Sequence, residues 1–138
     1  MAADDIRLAI GIRVADDIVR ARQAGRDAAR TLGFSLTDQT RLATAISEIT
    51  RNALHYGGGG QCEIKGGQVA GERLIDVVVT DAGPGIPDVA KAMTPGFSTG
   101  NSLGMGLSGA SKLVDSLSVD TRPGMTQVAM RMHRRVVG

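Results

Sequence analysis

The sequence predicts an α+β fold, a two-layer sandwich in which helices cover one face of a mixed, mostly antiparallel β-sheet. The order of the predicted elements is β-α-α-β-β-α-β-β, and it contains no internal repeat. Consecutive strands in this order can pair as hairpins and the helices come in blocks, which together favour this architecture. The chain has 138 residues, so residues 1–138 fit one domain that can form a core without disulfides.

The composition excludes several classes of protein. Cys62 is the only cysteine, so an internal disulfide framework is excluded, and no Cys/His cluster suits zinc. The net charge is +2 and aromatic residues make up 2%, whereas a nucleic-acid surface needs a basic face with interleaved aromatics. The chain has no apolar run of about 18 residues and does not start with a signal peptide. We therefore expect a cytoplasmic protein with neither a membrane nor nucleic acid as partner.

The first part of the chain predicts one strand and two helices. Alternating apolar residues over 6–12 indicate a strand with one buried face. A helix is expected over 16–32, with Gly33 as its stop signal. Another is expected over 37–56, with cap residues at 35–37. Its buried stripe would contain five apolar residues at helical spacing, namely Leu42, Ala45, Ile46, Ile49 and Ala53.

The middle of the chain predicts a glycine linker and a hairpin. Four consecutive glycines at 57–60 end the second helix, and we expect a mobile connection because glycine leaves the backbone almost unrestricted. Strands over 62–65 and 73–80 would be joined by a loop at 66–71. The second strand is β-branched and apolar, which predicts a central place in the sheet.

The last part of the chain predicts a helix followed by a second hairpin. The helix is expected over 105–114, after a long polar segment. Strands over 117–121 and 126–132 would then pair around a Pro-Gly turn at 122–124.

Glu48 and Asn52 lie four residues apart on the second predicted helix. At about 100° per residue they are neighbours on one shoulder of its apolar stripe, where polar groups can face a cleft while the helix stays anchored. A carboxylate can activate a nucleophile, and an amide oxygen can hold a hard cation. The alternative interpretation is two solvated polar residues at a helix border, because a match of two residues is weak by itself.

Asp81 stands at the end of the predicted central strand and is followed by Gly83 and Gly85 on either side of a proline. These glycines enforce a tight turn that lets the backbone approach a flat ligand. The aspartate can accept a hydrogen bond from an exocyclic amine. A structural turn explains the glycines, but it does not explain why they directly follow an aspartate on an apolar strand.

A second glycine motif, Gly104-x-Gly106-x-x-Gly109, spells the fingerprint of dinucleotide-binding folds. That fingerprint should follow a buried strand and precede an acidic residue about twenty positions on, and both are missing here. A protein-kinase glycine loop also fails, because no V-A-I-K strand or H-R-D loop is present. Small residues that lead into a helix N-terminus can still bind phosphate.

Three motifs in this order resemble the N, G1 and G2 boxes of the GHKL ATPase and kinase superfamily, which has the Bergerat fold: Glu48…Asn52, Asp81-x-Gly83-x-Gly85 and Gly104-x-Gly106. The likeness covers nearly the whole chain. It is greatest for the bacterial anti-sigma-factor serine/threonine kinases, and among them for the switch kinases. The segments that carry this likeness are 16–26, 32–34, 44–52, 81–88 and 96–99.

The resemblance implies a role for each matched position. Glu48 would be the general base that takes the proton of the attacking serine or threonine. Asn52 would help coordinate Mg²⁺, and Asp81 would bind the adenine amino group of ATP. Residues from about 93 to 103 would form a mobile lid. The other nucleotide-binding positions that it implies are Gly83, Gly85, Ile86, Gly104, Met105, Gly106, Leu107 and Thr126.

The implied function is a protein-serine/threonine kinase that phosphorylates a small STAS-domain antagonist protein. Once released, it would activate a PP2C-type phosphatase in a partner-switching, stressosome-type pathway. One alternative is an anti-sigma factor kinase that itself binds and inhibits a sigma factor. Another is a nucleotide-gated binding module without kinase activity. The presence of both Glu48 and Asn52 argues against the module, because a protein that needs only shape does not require a base.

Overall fold

The computed structural model describes residues 5–83 and 103–136. Within these ranges, five strands and three helices are formed. Their bounds are β1 Ile6–Ile12, α1 Ala15–Thr31, α2 Leu36–Gly57, β2 Gly60–Val69, β3 Glu72–Asp81, α3 Leu103–Ser111, β4 Ser116–Arg122 and β5 Met125–Arg135.

The five strands form one sheet in the order β1-β2-β3-β5-β4. The predicted α+β class is confirmed, and the apolar strand β3 takes the central position. Every pairing between the described strands is antiparallel, although a mixed sheet was expected. The register aligns Asp81 at the end of β3 with Thr126 of β5. This alignment places two predicted site residues on neighbouring strands.

Helices α1 and α2 pack together on one face of this sheet, as predicted. All five residues of the α2 stripe are buried. The Ser35 hydroxyl accepts a hydrogen bond from the Asp38 N–H at 3.1 Å, which starts α2 with the expected serine cap. The two helices approach closely at Gly25, where a Cβ would lie 2.2 Å from Cδ1 of Ile46. The absence of a side chain at Gly25 therefore lets α1 pack tightly against α2.

The prediction of a loop over 66–71 is wrong. Strands β2 and β3 continue to a two-residue turn, Ala70-Gly71, with φ of 51° and 80°. Two positive φ values are typical of the type I′ turn, whose twist matches that of the flanking strands. Gly66 belongs to β2, and a Cβ there would lie 2.5 Å from Cδ1 of Leu32. This glycine makes room for the end of α1 and does not form a turn.

The mobile linker predicted at 57–60 is also wrong, because this run packs closely against two strands. A Cβ on Gly59 would lie 2.7 Å from the carbonyl oxygen of Ile12 in β1. A Cβ on Gly60 would lie 2.1 Å from the carbonyl oxygen of Thr80 in β3. Neither distance leaves room for a side chain. The glycines therefore let the backbone that leads from α2 into β2 pass close to β1 and β3.

The third helix spans Leu103–Ser111, and the predicted range of 105–114 was shifted toward the C-terminus. The hairpin of β4 and β5 turns at Pro123-Gly124, as predicted, and Gly124 has φ of 89°. The predicted lid at about 93–103 lies outside the described residues, except for Leu103. Within 5–83 and 103–136, none of the helices combines the length and apolarity needed to cross a membrane.

Candidate active site

A pocket opens beside the C-terminal half of α2, between that helix, β3, β5 and α3. Its volume is about 430 Å³, including its open mouth. Four residues that the sequence predicted for the nucleotide site line this pocket: Asn52, Asp81, Leu107 and Thr126. The other lining residues are Ile49, Ala53, Tyr56, Gly57, Val79 and Val128. The pocket is thus mainly apolar, with an amide, a carboxylate and hydroxyl groups at defined positions, as is typical of ligand sites.

Asp81 is partly buried at the end of β3, at one end of the pocket. Its Oδ1 atom accepts a hydrogen bond from the Gly83 N–H at 2.9 Å. Burial raises the pKa of the Asp81 carboxyl, and the hydrogen bond from Gly83 opposes that shift. Because Oδ1 already accepts a hydrogen bond from Gly83, Oδ2 has the greater capacity to accept from a ligand. The predicted site residue Gly83 therefore orients the aspartate.

Asn52 enters the pocket from α2, and its amide is close to α3. Nδ2 is buried and has no hydrogen-bond partner within residues 5–83 and 103–136. A buried polar atom of this kind costs free energy unless a ligand satisfies it. Gly106 of α3 packs against the amide, since a Cβ there would lie 2.6 Å from Nδ2. The arrangement indicates that this part of the pocket is completed by a polar ligand.

Glu48 lies one turn before Asn52 on α2, beyond the residues that line the pocket. Its Oε1 atom accepts a hydrogen bond from Nη1 of Arg51 at 3.0 Å, and 38% of its side chain is exposed. An exposed pair at this spacing contributes little to stability, so the carboxylate can exchange Arg51 for another partner. Arg51 was not singled out from the sequence, although its i, i+3 spacing from Glu48 was visible there.

Thr126 is buried beside Asp81 on the neighbouring strand. Its hydroxyl exchanges a hydrogen bond with that of Thr121 at 2.9 Å. Two further lining residues, Tyr56 and Gly57, were missed by sequence reasoning. For Tyr56 the signal was its helical spacing from Asn52, because position 56 is one turn further along the same face of α2.

The remaining predicted positions belong to the two glycine motifs. Gly104 and Met105 lie in the first turn of α3. Gly85 and Ile86 lie outside the described residues.

Gly106→Ala is expected to disturb Asn52, because the added methyl group would occupy the space of its amide. A misplacement of about 1 Å can reduce the rate of a positioned reaction roughly 100-fold, so the phosphoryl transfer that the family resemblance implies should fall by about 10- to 100-fold. Gly109→Ala on the same helix is the matched control, since no atom of the described residues, other than those of its own helix backbone, lies within 4 Å of its Cβ position. Equal kinase rates for the two variants would contradict a role of the Gly106 contact.

The family comparison agrees with this geometry. Residues 13–132 match the model of the histidine kinase-like ATPase domain. The serine/threonine-protein kinase RsbT of Bacillus subtilis (strain 168) is 46% identical over 108 residues, which cover 78% of this chain and 81% of that protein. An anti-sigma F factor of Clostridium novyi (strain NT) is 32% identical over 109 residues, covering 70% and 72% of the two chains.

Solved structures share the fold at low sequence identity. The structure of the RsbU and RsbW domains of Rv1364c from Mycobacterium tuberculosis has a TM-score of 0.65 and 19% identity, with 97% of this chain and 34% of that chain covered. This chain therefore spans about a third of that larger protein. The catalytic domain of histidine kinase ThkA has a TM-score of 0.55 and 17% identity, with 93% and 94% coverage.

Two predictions from the sequence are confirmed by these relationships. The first is the kinase-like ATPase domain, a family membership that implies the use of ATP. The second is the enzyme class of protein-serine/threonine kinase, through the relative that is 46% identical. The chain belongs to the histidine kinase-like ATPase domain family, and within it to the branch of RsbT and the anti-sigma factors.

Proposed function

We propose that residues 1–138 form one cytoplasmic kinase domain that transfers the γ-phosphoryl group of ATP to a serine or threonine of a small STAS-domain antagonist protein. The observation that carries the proposal is the spatial order of three polar residues beside the axis of α2, two on the helix itself and one at the end of β3. Asp81 meets the end of α2 at Gly57, Asn52 lies within the pocket, and Glu48 lies one turn further toward the helix start. Along the axis of α2, at a rise of 1.5 Å per residue, the distances from Gly57 to Asn52 and from Asn52 to Glu48 are each about 6 to 8 Å.

This order fits a nucleotide with its base at Asp81 and its phosphates toward Asn52. Oδ2 of Asp81 can accept a hydrogen bond from an adenine amine, and the apolar walls can hold a flat ring. Thr126 lies beside Asp81 and can contribute its hydroxyl. The N-terminal turn of α3, which carries Gly104 and Gly106, can supply backbone N–H groups to phosphate.

The residues present also fit Mg²⁺. Asn52 carries an amide oxygen, the type of ligand that Mg²⁺ takes, and its buried Nδ2 atom, which has no partner among the described residues, can donate to a phosphate oxygen. Those residues contain no cluster of three or more His, Cys, Asp or Glu side chains that could hold a metal alone. Mg²⁺ is usually held by one or two protein oxygens together with substrate phosphates, and this donor set agrees with that. When bound, the ion would neutralise charge on the phosphates.

Glu48 completes the proposed chemistry at the open end of the site. Its partly exposed carboxylate can leave Arg51 and accept the proton of the attacking hydroxyl of the partner protein. Phosphoryl transfer has a loose transition state, so positioning and charge neutralisation contribute more than proton removal. The exposure of Glu48 suits a substrate that is itself a folded protein.

We further propose that the kinase, once released from its substrate, activates a PP2C-type phosphatase. Support comes from the 46% identity to a kinase named RsbT, whose resemblance to this chain implied partner switching. Phosphorylation adds about −1.5 to −2 charges beside Glu48 and the nucleotide phosphates, so the product should be repelled from the site. Loss of the substrate would then make the kinase available to another partner.

A second candidate function is direct inhibition of a sigma factor. The observation in its favour is the 32% identity to a protein named anti-sigma F factor. The two candidates differ in what the kinase binds stably. A sigma-factor inhibitor forms a lasting complex with a sigma factor, whereas a switch kinase does not.

The test is to incubate the chain with Mg·ATP and proteins captured from its native lysate, and then to map phosphosites. The proposal expects a phosphorylated serine or threonine in a STAS-domain protein. Stable capture of a sigma factor would support the second candidate. Binding of a partner without any phosphate transfer would show a nucleotide-gated binding module and would defeat the kinase proposal.

A further inference from the structure

Gly57, the last residue of α2, lies directly against Asp81. A Cβ on Gly57 would lie 2.3 Å from Cγ of Asp81, 2.5 Å from Oδ1 and 2.6 Å from Cβ. Rotation of the aspartate side chain can move Cγ and Oδ1, but it cannot move Cβ. Any side chain at position 57 therefore forces the end of α2 away from the end of β3.

Gly83 completes this contact from the other side. A Cβ on Gly83 would lie 2.5 Å from Cα of Gly57 and 3.0 Å from the carbonyl oxygen of Tyr56. The Gly83 N–H also donates to Oδ1 of Asp81. The aspartate is thus held between two glycines whose backbones touch, and the orientation of its carboxylate depends on both.

We infer that Gly57 is a positioning residue that sets the preference of the pocket for a purine with an exocyclic amine. The inference rests on the proposed function, in which Asp81 accepts a hydrogen bond from that amine. Gly57 is absent from the glycines with positive φ, so an alanine suits its backbone. The effect of a substitution here is therefore steric and is directed at Asp81.

The test compares the affinities of two nucleotides, measured by calorimetry with Mg²⁺ present. ATP carries the exocyclic amine, and purine riboside 5′-triphosphate lacks only that group. A hydrogen bond to a charged acceptor corresponds to about a 10- to 100-fold preference for ATP in the wild type. Gly57→Ala is expected to reduce this preference at least about fivefold.

Two control variants separate positioning from general loss of stability. Gly58 has φ of 73°, and within residues 5–83 and 103–136 no atom beyond its chain neighbours lies within 4 Å of its Cβ position, so Gly58→Ala strains the backbone without touching Asp81. It should lower the Tm and leave the nucleotide preference intact. At Gly11 the nearest atom is 3.8 Å away, which is ordinary contact, so Gly11→Ala should change neither property.

A second measurement does not depend on nucleotide binding. The change Asp81→Gly removes the three atoms nearest to the Cβ position of residue 57, so Gly57→Ala should cost less Tm in that background than in the wild type. An equal Tm loss in both backgrounds would overturn the inference, as would a Gly57→Ala variant that keeps the wild-type preference. A wild type that binds both nucleotides equally would instead overturn the contact between Asp81 and the amine, and the inference with it.

Discussion

Glu48→Gln is expected to reduce phosphoryl transfer to the partner protein by about 10²- to 10⁴-fold while nucleotide affinity stays unchanged. Glutamine keeps the size of the side chain but cannot accept a proton at neutral pH. Glu48 lies beyond the residues that line the pocket, so its substitution leaves the binding surface for the nucleotide intact. Single-turnover kinetics with the partner, together with calorimetry of ATP binding, separate the two effects.

A matched control for this substitution is Glu63→Gln. Glu63 is exposed on β2 and lies outside the residues that line the pocket. The Glu63→Gln variant should transfer phosphate at the wild-type rate. Wild-type transfer by Glu48→Gln itself would show that another group removes the proton, or that no base is needed.

Asp81→Asn is expected to weaken ATP binding by about 10- to 100-fold. The Gly83 N–H needs an acceptor, so the new amide will keep its oxygen toward Gly83 and turn its NH₂ group toward the ligand. Two donors then face each other where a donor and an acceptor met before. Calorimetric titration with Mg·ATP measures the loss, and Asp120→Asn at an exposed position on β4 serves as the control.

The same substitution should make the protein more stable without nucleotide. Burial raises the pKa of Asp81 above the ordinary value of 3.8. The folded state thus binds the proton of the Asp81 carboxyl more tightly than the unfolded chain does. Ionisation of Asp81 therefore reduces the free energy of unfolding as the pH rises from 3.8 through the raised pKa of the folded state. Asp81→Asn removes that cost, so its Tm should exceed the wild-type Tm at neutral pH, and the difference should vanish in acid. A lower Tm at neutral pH would contradict this account.

The sequence alone determined the fold class and the helix α2. Periodicity placed Leu42, Ile46 and Ile49 in the buried stripe, and all three are fully or almost fully buried. Such patterns are local, because a helix repeats its contacts every three to four residues and a strand every two. The family was likewise indicated by the sequence, because the three motifs are defined by residue types and by their order along the chain.

Glycine was the residue type whose role the sequence could not determine. Gly66 and the run at 57–60 were expected in loops, because glycine permits turns and mobile segments. The structure uses them for close contact with Leu32, Thr80 and Asp81. A glycine looks the same in the sequence whether the fold needs it for a turn or for a close contact. Only the position of the neighbouring helix or strand decides between the two roles.

The division between sequence and structure is clearest at the candidate site. The sequence supplied Glu48, Asn52 and Asp81 as chemically suitable groups, since residue type and helical spacing are local properties. Tertiary structure decided that Asn52 and Asp81 line one pocket, that Glu48 lies outside its lining, and that Gly57 and Gly83 hold the aspartate. These relations join residues distant along the chain, and they depend on how α2 packs against β3, which no local pattern specifies.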